Sequence, residues 1–417
     1  MRTKETCQVA MIERRYGVFL RNERVGTLNQ RGDYTWFSAS VEYVENPQRE
    51  ILGLAFEDDL GAKHASALRL PPWFSNLLPE GRLRDWVARD RGVPVDREME
   101  LLAQVGRDLP GAVRVIEESE PLEELCPDDM PQMGNDFSEG PWRFSLAGVG
   151  LKFSMLRRGD NLTLPAAGGG GDWIVKLPDP VYPDVPRNEE AMMTLAGLSG
   201  INVPECRLVS RSLLENLPTS AWMSKEEVAY AVRRFDRGPG RSLIHIEDFA
   251  QVRNVYPYGN GKYMGSFETI ANLIYRGHEL IDLQQFARRL AFNVLIENGD
   301  AHLKNWSLIY LDPRSPRLSP AYDIVSTSAY ALDREDVDLG LKFNKSRRYE
   351  RFSLMGFVRL ERTLGVRGAD LGDHAEDALR LAYENWPTIA ERLNSSPNLQ
   401  TAIGKTIEAR WAALHRT

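Results

Sequence analysis

Between Asn298 and Asp323 the chain reads Asn298-Gly299-Asp300-Ala301-His302-Leu303-Lys304-Asn305 and, further on, Ala321-Tyr322-Asp323. Transfer of a phosphoryl group needs a carboxylate to orient the attacking hydroxyl. It also needs an amide oxygen and a second carboxylate to hold Mg2+ on the phosphates. Asp300 and Asn305 stand five residues apart, the Asp-to-Asn spacing of a phosphoryl-transfer catalytic loop. Asp323 follows eighteen residues after Asn305, where a metal-binding Asp belongs. His302 is a candidate for an orienting hydrogen bond to a carboxylate in the loop. A zinc site is disfavoured, because the chain has six histidines and no paired His or Cys near His302.

Upstream partners stand at workable distances. Lys176 lies inside the apolar run Trp173-Ile174-Val175-Lys176-Leu177, an expensive place for a charge unless it is paired or used. Glu189 comes thirteen residues later, in the first turn of the expected next helix. A strand Lys paired with a helix Glu positions the α- and β-phosphates in kinases. A strand-end Lys can instead carry its charge out to solvent, but Asp300, Asn305 and Asp323 downstream favour the pair. Gly148-Val149-Gly150-Leu151-Lys152, after Ser145, is not a Walker A motif. It reads either as a loop covering phosphates with backbone donors or as a hairpin turn. Gly168-Gly169-Gly170-Gly171 has no basic neighbour and reads as a flexible hairpin tip without a phosphate role.

These residues need elements to position them. Residues 1–70 read as strands and turns, including Tyr16–Leu20 and Ile51–Phe56. Helical spacing follows Pro71 through Phe74, Leu77, Leu78, Leu83, Trp86 and Val87, broken near Pro79-Glu80-Gly81, and another short helix covers Glu98 to Val105. Residues 173–177 and Tyr230 to Phe235 read as strands, and Glu189 to Leu198 as a helix stopped by Gly200. From Ile246 onward helices dominate. Asp282 with Gln285 suggests a capping box, ahead of a face of Leu283, Phe286, Ala287, Leu290, Ala291 and Val294. That helix delivers Asp300 into a turn. An amphipathic helical segment runs from about Asp370 to Leu414. No internal repeat is visible.

The 417 residues, 42% hydrophobic and 27% charged, suffice for two or three globular domains. No apolar run approaches the roughly 20 residues that span a bilayer, and no apolar signal core follows Met1, so a cytoplasmic chain is expected. Cys7, Cys126 and Cys206 are far apart and odd in number, which favours reduced thiols. A net charge of −7 argues against dominant nucleic-acid binding by this chain alone. Between Arg114 and Arg143 no basic residue occurs and acids crowd in with prolines, marking a solvated linker. The expected division is 1–118 as an N-terminal subdomain and 119–142 as the acidic linker. Residues 143–236 follow as a nucleotide-binding lobe and 237–417 as a helical catalytic lobe.

Over nearly its whole length the chain resembles the HipA-type serine/threonine kinases, toxins of bacterial toxin–antitoxin pairs. The N-terminal motifs are residues 70–81, Leu-Pro-Pro-Trp-Phe-Ser-Asn-Leu-Leu-Pro-Glu-Gly, and residues 105–113, Val-Gly-Arg-Asp-Leu-Pro-Gly-Ala-Val. Ser145-Leu146-Ala147-Gly148 with Lys152 resembles the family's autophosphorylated loop, and Arg234-Phe235-Asp236-Arg237 its hinge. Residues 247–251 and Lys262-Tyr263 resemble further landmarks.

The resemblance implies an α+β, kinase-like two-lobed fold with a β-rich N-terminal subdomain and a helical C-terminal lobe. It implies ATP and Mg2+ as cofactors, Asp300 as catalytic base, and Asn305 and Asp323 as metal ligands. Lys176 would hold the phosphates with Glu189 in support. Lys152, Gly148, Arg233, Phe235 and His302 would complete the nucleotide site, and Ser145 would be the regulatory phosphosite. Arg233 stands where the family often has an acid, and Val149-Gly150-Leu151 departs from the commoner loop filling. The implied substrate is an aminoacyl-tRNA synthetase. The implied partner is a helix-turn-helix antitoxin, through which alone DNA would be met; no membrane is involved. A small-molecule kinase and an inactive co-repressor scaffold are the alternatives.

Overall fold

The computed structural model describes residues 13–62, 64–118, 151–165, 170–331 and 338–415. The expected acidic linker, Ser145, Gly148, Gly168 and Gly169 lie outside the described residues.

Short strands of alternating character open the chain: β1 (Glu13–Leu20), β2 (Glu23–Arg31) and β3 (Tyr34–Ala39). Two small helices, α1 (Val41–Glu45) and α2 (Leu54–Glu57), precede β4 (His64–Ala67). Then come α3 (Pro72–Ser75), α4 (Gly81–Arg91), α5 (Glu98–Val105) and β5 (Val113–Glu117). The strands form an antiparallel sheet in the order β4-β3-β2-β1-β5.

The second sheet is built from β6 (Lys152–Arg158), β7 (Asn161–Thr163), β8 (Trp173–Lys176), β9 (Cys206–Ser210), β10 (Leu214–Glu215) and β11 (Val228–Arg233). Its order is β10-β7-β6-β8-β11-β9. Helix α6 (Val185–Leu198) lies between β8 and β9 in sequence. Because side chains alternate along a strand, the sheet serves two cores. Phe153, Met155, Trp173, Val175, Ala229 and Ala231 pack with Trp73, Phe74 and Leu101 of the N-terminal part. Tyr230 and Val232 pack with Met192 and Leu195 of α6 and with the helical part.

The helical part holds α7 (Phe249–Val252), α8 (Phe267–Ile274), α9 (Leu280–Leu295), α10 (Met355–Leu364), α11 (Leu371–Ala390) and α12 (Pro397–Leu414). The six apolar residues expected to form one face of α9 are all fully buried. The whole is an α+β, two-lobed kinase-like fold, as the sequence suggests.

Three local expectations fail. Ile51–Phe56 is no strand: the chain turns into α2, with the backbone N–H of Leu54 donated to the Glu247 carboxylate at 3.1 Å. A short apolar run has no period that separates a strand from a buried turn of helix. Asp282 and Gln285 form no capping box, since α9 starts at Leu280 with Glu279 at the cap. Asp282 instead accepts from Arg317 Nε at 2.7 Å, and Gln285 reaches the backbone of Asn202 and Gly200. The helical part also contains an unexpected sheet of β12 (His245–Asp248), β13 (Ser307–Asp312) and β14 (Ser315–Leu318).

Candidate active site

The register of the second sheet creates a charged row. Lys152, first in β6, pairs across the strand boundary with Lys176, last in β8, and Lys176 pairs with Tyr230 of β11. Like charges directly opposite each other are unfavourable, so this row requires anions. Lys176 Nζ donates to Glu189 Oε1 at 2.6 Å and also to Asp323 Oδ1. Helix α6 opens four residues before Glu189, with Pro186 in its first turn, so Glu189 sits one turn deeper than expected.

Burial works against every charge in this cluster, and the outcome differs by partner. For Lys176, burial would lower the pKa, but Asp323 and then Glu189 outweigh it and the ammonium stays protonated. For Asp323, burial is outweighed by Lys176 and Lys152, which hold the carboxyl well below its usual range. For Glu189, burial wins over Lys176, and the carboxyl is pushed up to about 7. Burial draws Lys152 down to about 8 against the pull of Asp323.

Helix α9 ends in a tightly bonded turn. Asn298 Nδ2 donates to Asn293 Oδ1 at 2.9 Å, and Asn298 Oδ1 accepts the Asp300 N–H at 3.1 Å. The Gly299 N–H donates to Thr327 Oγ1 at 2.8 Å. Asn305 Nδ2 donates to the Asp300 carbonyl at 2.7 Å, which leaves its Oδ1 as the outward acceptor. Asp323 has a left-handed backbone, φ 59°. The segment after it is fixed to α6, because the Asn188 side chain both donates to and accepts from the Ser326 backbone, each at 3.0 Å. One short stretch of α6 therefore carries both the Lys176 partner and the clamp on the Asp323 segment.

Lys152, Lys176, Glu189, Arg233, Phe235, Asp300, His302, Asn305 and Asp323 all line one cavity of about 290 Å3. Phe235 lies 5.6 Å, ring to ring, from Tyr322. Arg233 is turned outward, with Glu205 at 4.0 Å. The other charged residues of the expected hinge are structural. Arg234 and Arg237 are buried and grip Asp236 and Asp108, and Asp236 accepts the Gly111 N–H at 2.8 Å. Gly111 is needed there: its φ is +75°, and a Cβ would stand 2.8 Å from the Ile246 nitrogen. His302 is buried, its pKa is lowered chiefly by that burial, and its Nε2 lies 3.5 Å from Asp300 Oδ1.

Among the described residues no group of three or more His, Cys, Asp or Glu is arranged to hold a metal. Asp323 and the Asn305 amide oxygen fit the sparse, all-oxygen protein share of a Mg2+ site completed by phosphates and water. An ammonium cation, that of Lys176, already sits on Asp323.

Sequence reasoning assigned no role to Glu80, Tyr263, Lys304 or Asn188. Glu80 precedes α4 at the N-cap position without capping it. Its carboxylate instead crosses to Lys304 Nζ at 2.8 Å and Lys262 Nζ at 3.3 Å. Lys304 also donates to the Asn76 carbonyl at 3.0 Å. The break at Pro79-Glu80-Gly81 was the visible signal; its remote partner was not.

For Glu80, burial is outweighed by Lys304 and Lys262, and its pKa is held down to about 2. A carboxyl with a depressed folded value stabilises the fold above its unfolded pKa and loses that contribution as pH falls through the folded one. Wild type should therefore lose on the order of 3 kcal/mol from this group between about pH 4.5 and pH 2. Glu80→Gln should be less stable at neutral pH and converge on wild type in acid. Parallel unfolding curves at every pH would contradict this.

Residues 16–116 match the model of the HipA N-terminal domain, and residues 144–392 that of the HipA-like C-terminal domain. A Sinorhizobium fredii protein named "Putative kinase Y4dM" is 44% identical over 341 residues, covering 79% of this chain and 81% of its own. The serine/threonine-protein kinase toxin HipA of Shewanella oneidensis is 27% identical, covering 61% of this chain and 62% of its own. A solved Shewanella oneidensis MR-1 structure of HipA, HipB and operator DNA superposes with a TM-score of 0.70 at 20% identity, covering 96% of this chain and 97% of that one. By its two domain matches, its relatives and its fold, the chain belongs to the HipA family of kinases.

Proposed function

We propose that the chain is an ATP-dependent serine/threonine protein kinase that acts as a toxin. The observation that carries the reading is Lys176, bridged between Glu189 and Asp323 on the wall of the cavity that Asp300 and Asn305 also line. In the reaction, Asp300 accepts a hydrogen bond from the acceptor hydroxyl and takes its proton as the oxygen bonds to the γ-phosphorus. The bond from that phosphorus to the bridging oxygen breaks, and ADP leaves with the electron pair. Lys176, kept protonated, and Lys152 bind the phosphates, while Phe235 borders the adenine. His302, neutral in its buried place, orients Asp300. Asn305 and Asp323 would hold Mg2+, whose chemistry would be to neutralise charge on the phosphates.

A polypeptide acceptor suits the second opening of the site. A groove of about 550 Å3, lined by Tyr182, Met223 and Tyr330, meets the cavity at Lys176, Asp300 and Asp323. The family resemblance points to an aminoacyl-tRNA synthetase as acceptor and to a helix-turn-helix antitoxin as neutralising partner. It also points to self-limitation by phosphorylation of Ser145. Purified synthetases and small alcohols offered together with Mg·ATP test the reading. Label should enter a synthetase, and mass spectrometry of the same reaction should find phosphate on Ser145 as transfer slows. Label confined to the alcohols would establish the small-molecule alternative, and no ATP consumption the scaffold.

A further inference from the structure

The loop between α7 and α8 joins two places that the reaction alone does not connect. At its near end the N-terminal subdomain holds it. Tyr256 Oη lies 2.7 Å from Ser66 Oγ, and Asn76 Nδ2 donates to the Val255 carbonyl at 2.7 Å. The Tyr258 hydroxyl accepts from Arg84 at 2.6 Å and donates to Glu98. The Arg69 guanidinium covers the Tyr258 ring at 4.5 Å. At its far end the loop presents Lys262 to Glu80 and Tyr263 to the catalytic loop.

The Tyr263 hydroxyl donates to Asp300 Oδ1 at 3.1 Å, and its ring stands edge-on to His302 at 5.2 Å. Arg347 fixes the Tyr263 backbone by donating to its carbonyl at 2.6 Å. Burial first, and then Asp300, raise the pKa of the phenol, so it stays protonated and able to donate to the carboxylate. The Asp300 side chain is 52% exposed and can rotate unless held. Its contacts with Tyr263 and His302 both fall on Oδ1, which leaves Oδ2 without a protein partner among the described residues.

We infer that Tyr263 is a positioning residue for phosphoryl transfer: on a loop clamped by the N-terminal subdomain, its hydroxyl holds Oδ1 of Asp300 and reserves Oδ2 for the acceptor hydroxyl. The inference rests on the reading of Asp300 as the group that orients the acceptor. A hydrogen bond to a charged group constrains a carboxylate rotor, and a small misplacement of a reacting group is costly in rate. The N-terminal subdomain thereby supports the chemistry from a distance.

Tyr263→Phe removes the hydroxyl and keeps the ring against His302. The test compares it with wild type, Asp300→Asn and the double variant, using radiolabelled ATP and dephosphorylated casein. Label in casein and in the chain itself is summed, and ADP release is followed in parallel. Tyr263→Phe should lower kcat about tenfold, as the loss of one charge-assisted hydrogen bond would. Its KM for ATP and its Tm should stay at the wild-type values. In the Asp300→Asn background the same change should cost little more, because the carboxylate it positions is gone. Wild-type kcat for Tyr263→Phe, or a loss that multiplies with that of Asp300→Asn, would overturn the inference while leaving Asp300 in place. Full activity of Asp300→Asn alone would overturn the reading beneath it.

Discussion

Asp300→Asn should lose phosphoryl transfer by a factor on the order of 10² or more while still binding ATP. The substitution is close to isosteric, and the bonds that hold the loop go to the Asp300 backbone: its N–H to Asn298 and its carbonyl to Asn305. The turn should therefore survive. What disappears is an anionic oxygen able to accept the hydroxyl proton. Lys176, Glu189 and Asp323 are untouched, so nucleotide affinity should remain near wild type. Transfer rates with saturating Mg·ATP, beside calorimetric ATP titrations of both proteins, check the two halves separately. Near-normal transfer would end the assignment of Asp300, and lost ATP binding would show that its role is structural.

Some of this site was legible in the chain because its logic is local. Lys176 in an apolar strand is a charge in the wrong place, and a wrong place asks for a partner. Asp300, Asn305 and Asp323 are named by spacing along a single stretch. The α9 face follows from helical period, and all of it is buried. The failures share one physical cause, which is that the deciding partner lies far away in sequence. Asp282 looks like a cap until Arg317 claims it. Ile51–Phe56 looks like a strand until Glu247 takes the Leu54 N–H. Glu80 pairs with Lys304, and Asn188 with the Ser326 backbone, without any local pattern. The strand Ser307–Asp312 directly follows the turn that carries Asp300 and Asn305, where helices were expected to continue, and only its pairing with β12 and β14 reveals it.

Asp323→Ala should abolish the Mg2+ dependence of nucleotide binding, with Mg·ATP affinity falling on the order of 10²-fold. Lys176 and Lys152 hold Asp323 ionised despite its partial burial, so a hard anionic oxygen is ready for a hard cation. The Lys176 ammonium is shared between Asp323 and Glu189. Removing Asp323 returns that charge to the phosphates, so metal-free ATP should bind the variant as tightly as wild type or more so. The two affinities should therefore move apart, which general damage to the fold would not produce. Asp323 also sits at φ 59°, where Ala is strained and Asn is tolerated. Asp323→Asn separates these effects by keeping the backbone and losing the charge. Both variants should lose the Mg2+ effect in titrations run with Mg2+ and with a chelator. An unchanged Mg·ATP affinity in Asp323→Asn would place the metal elsewhere.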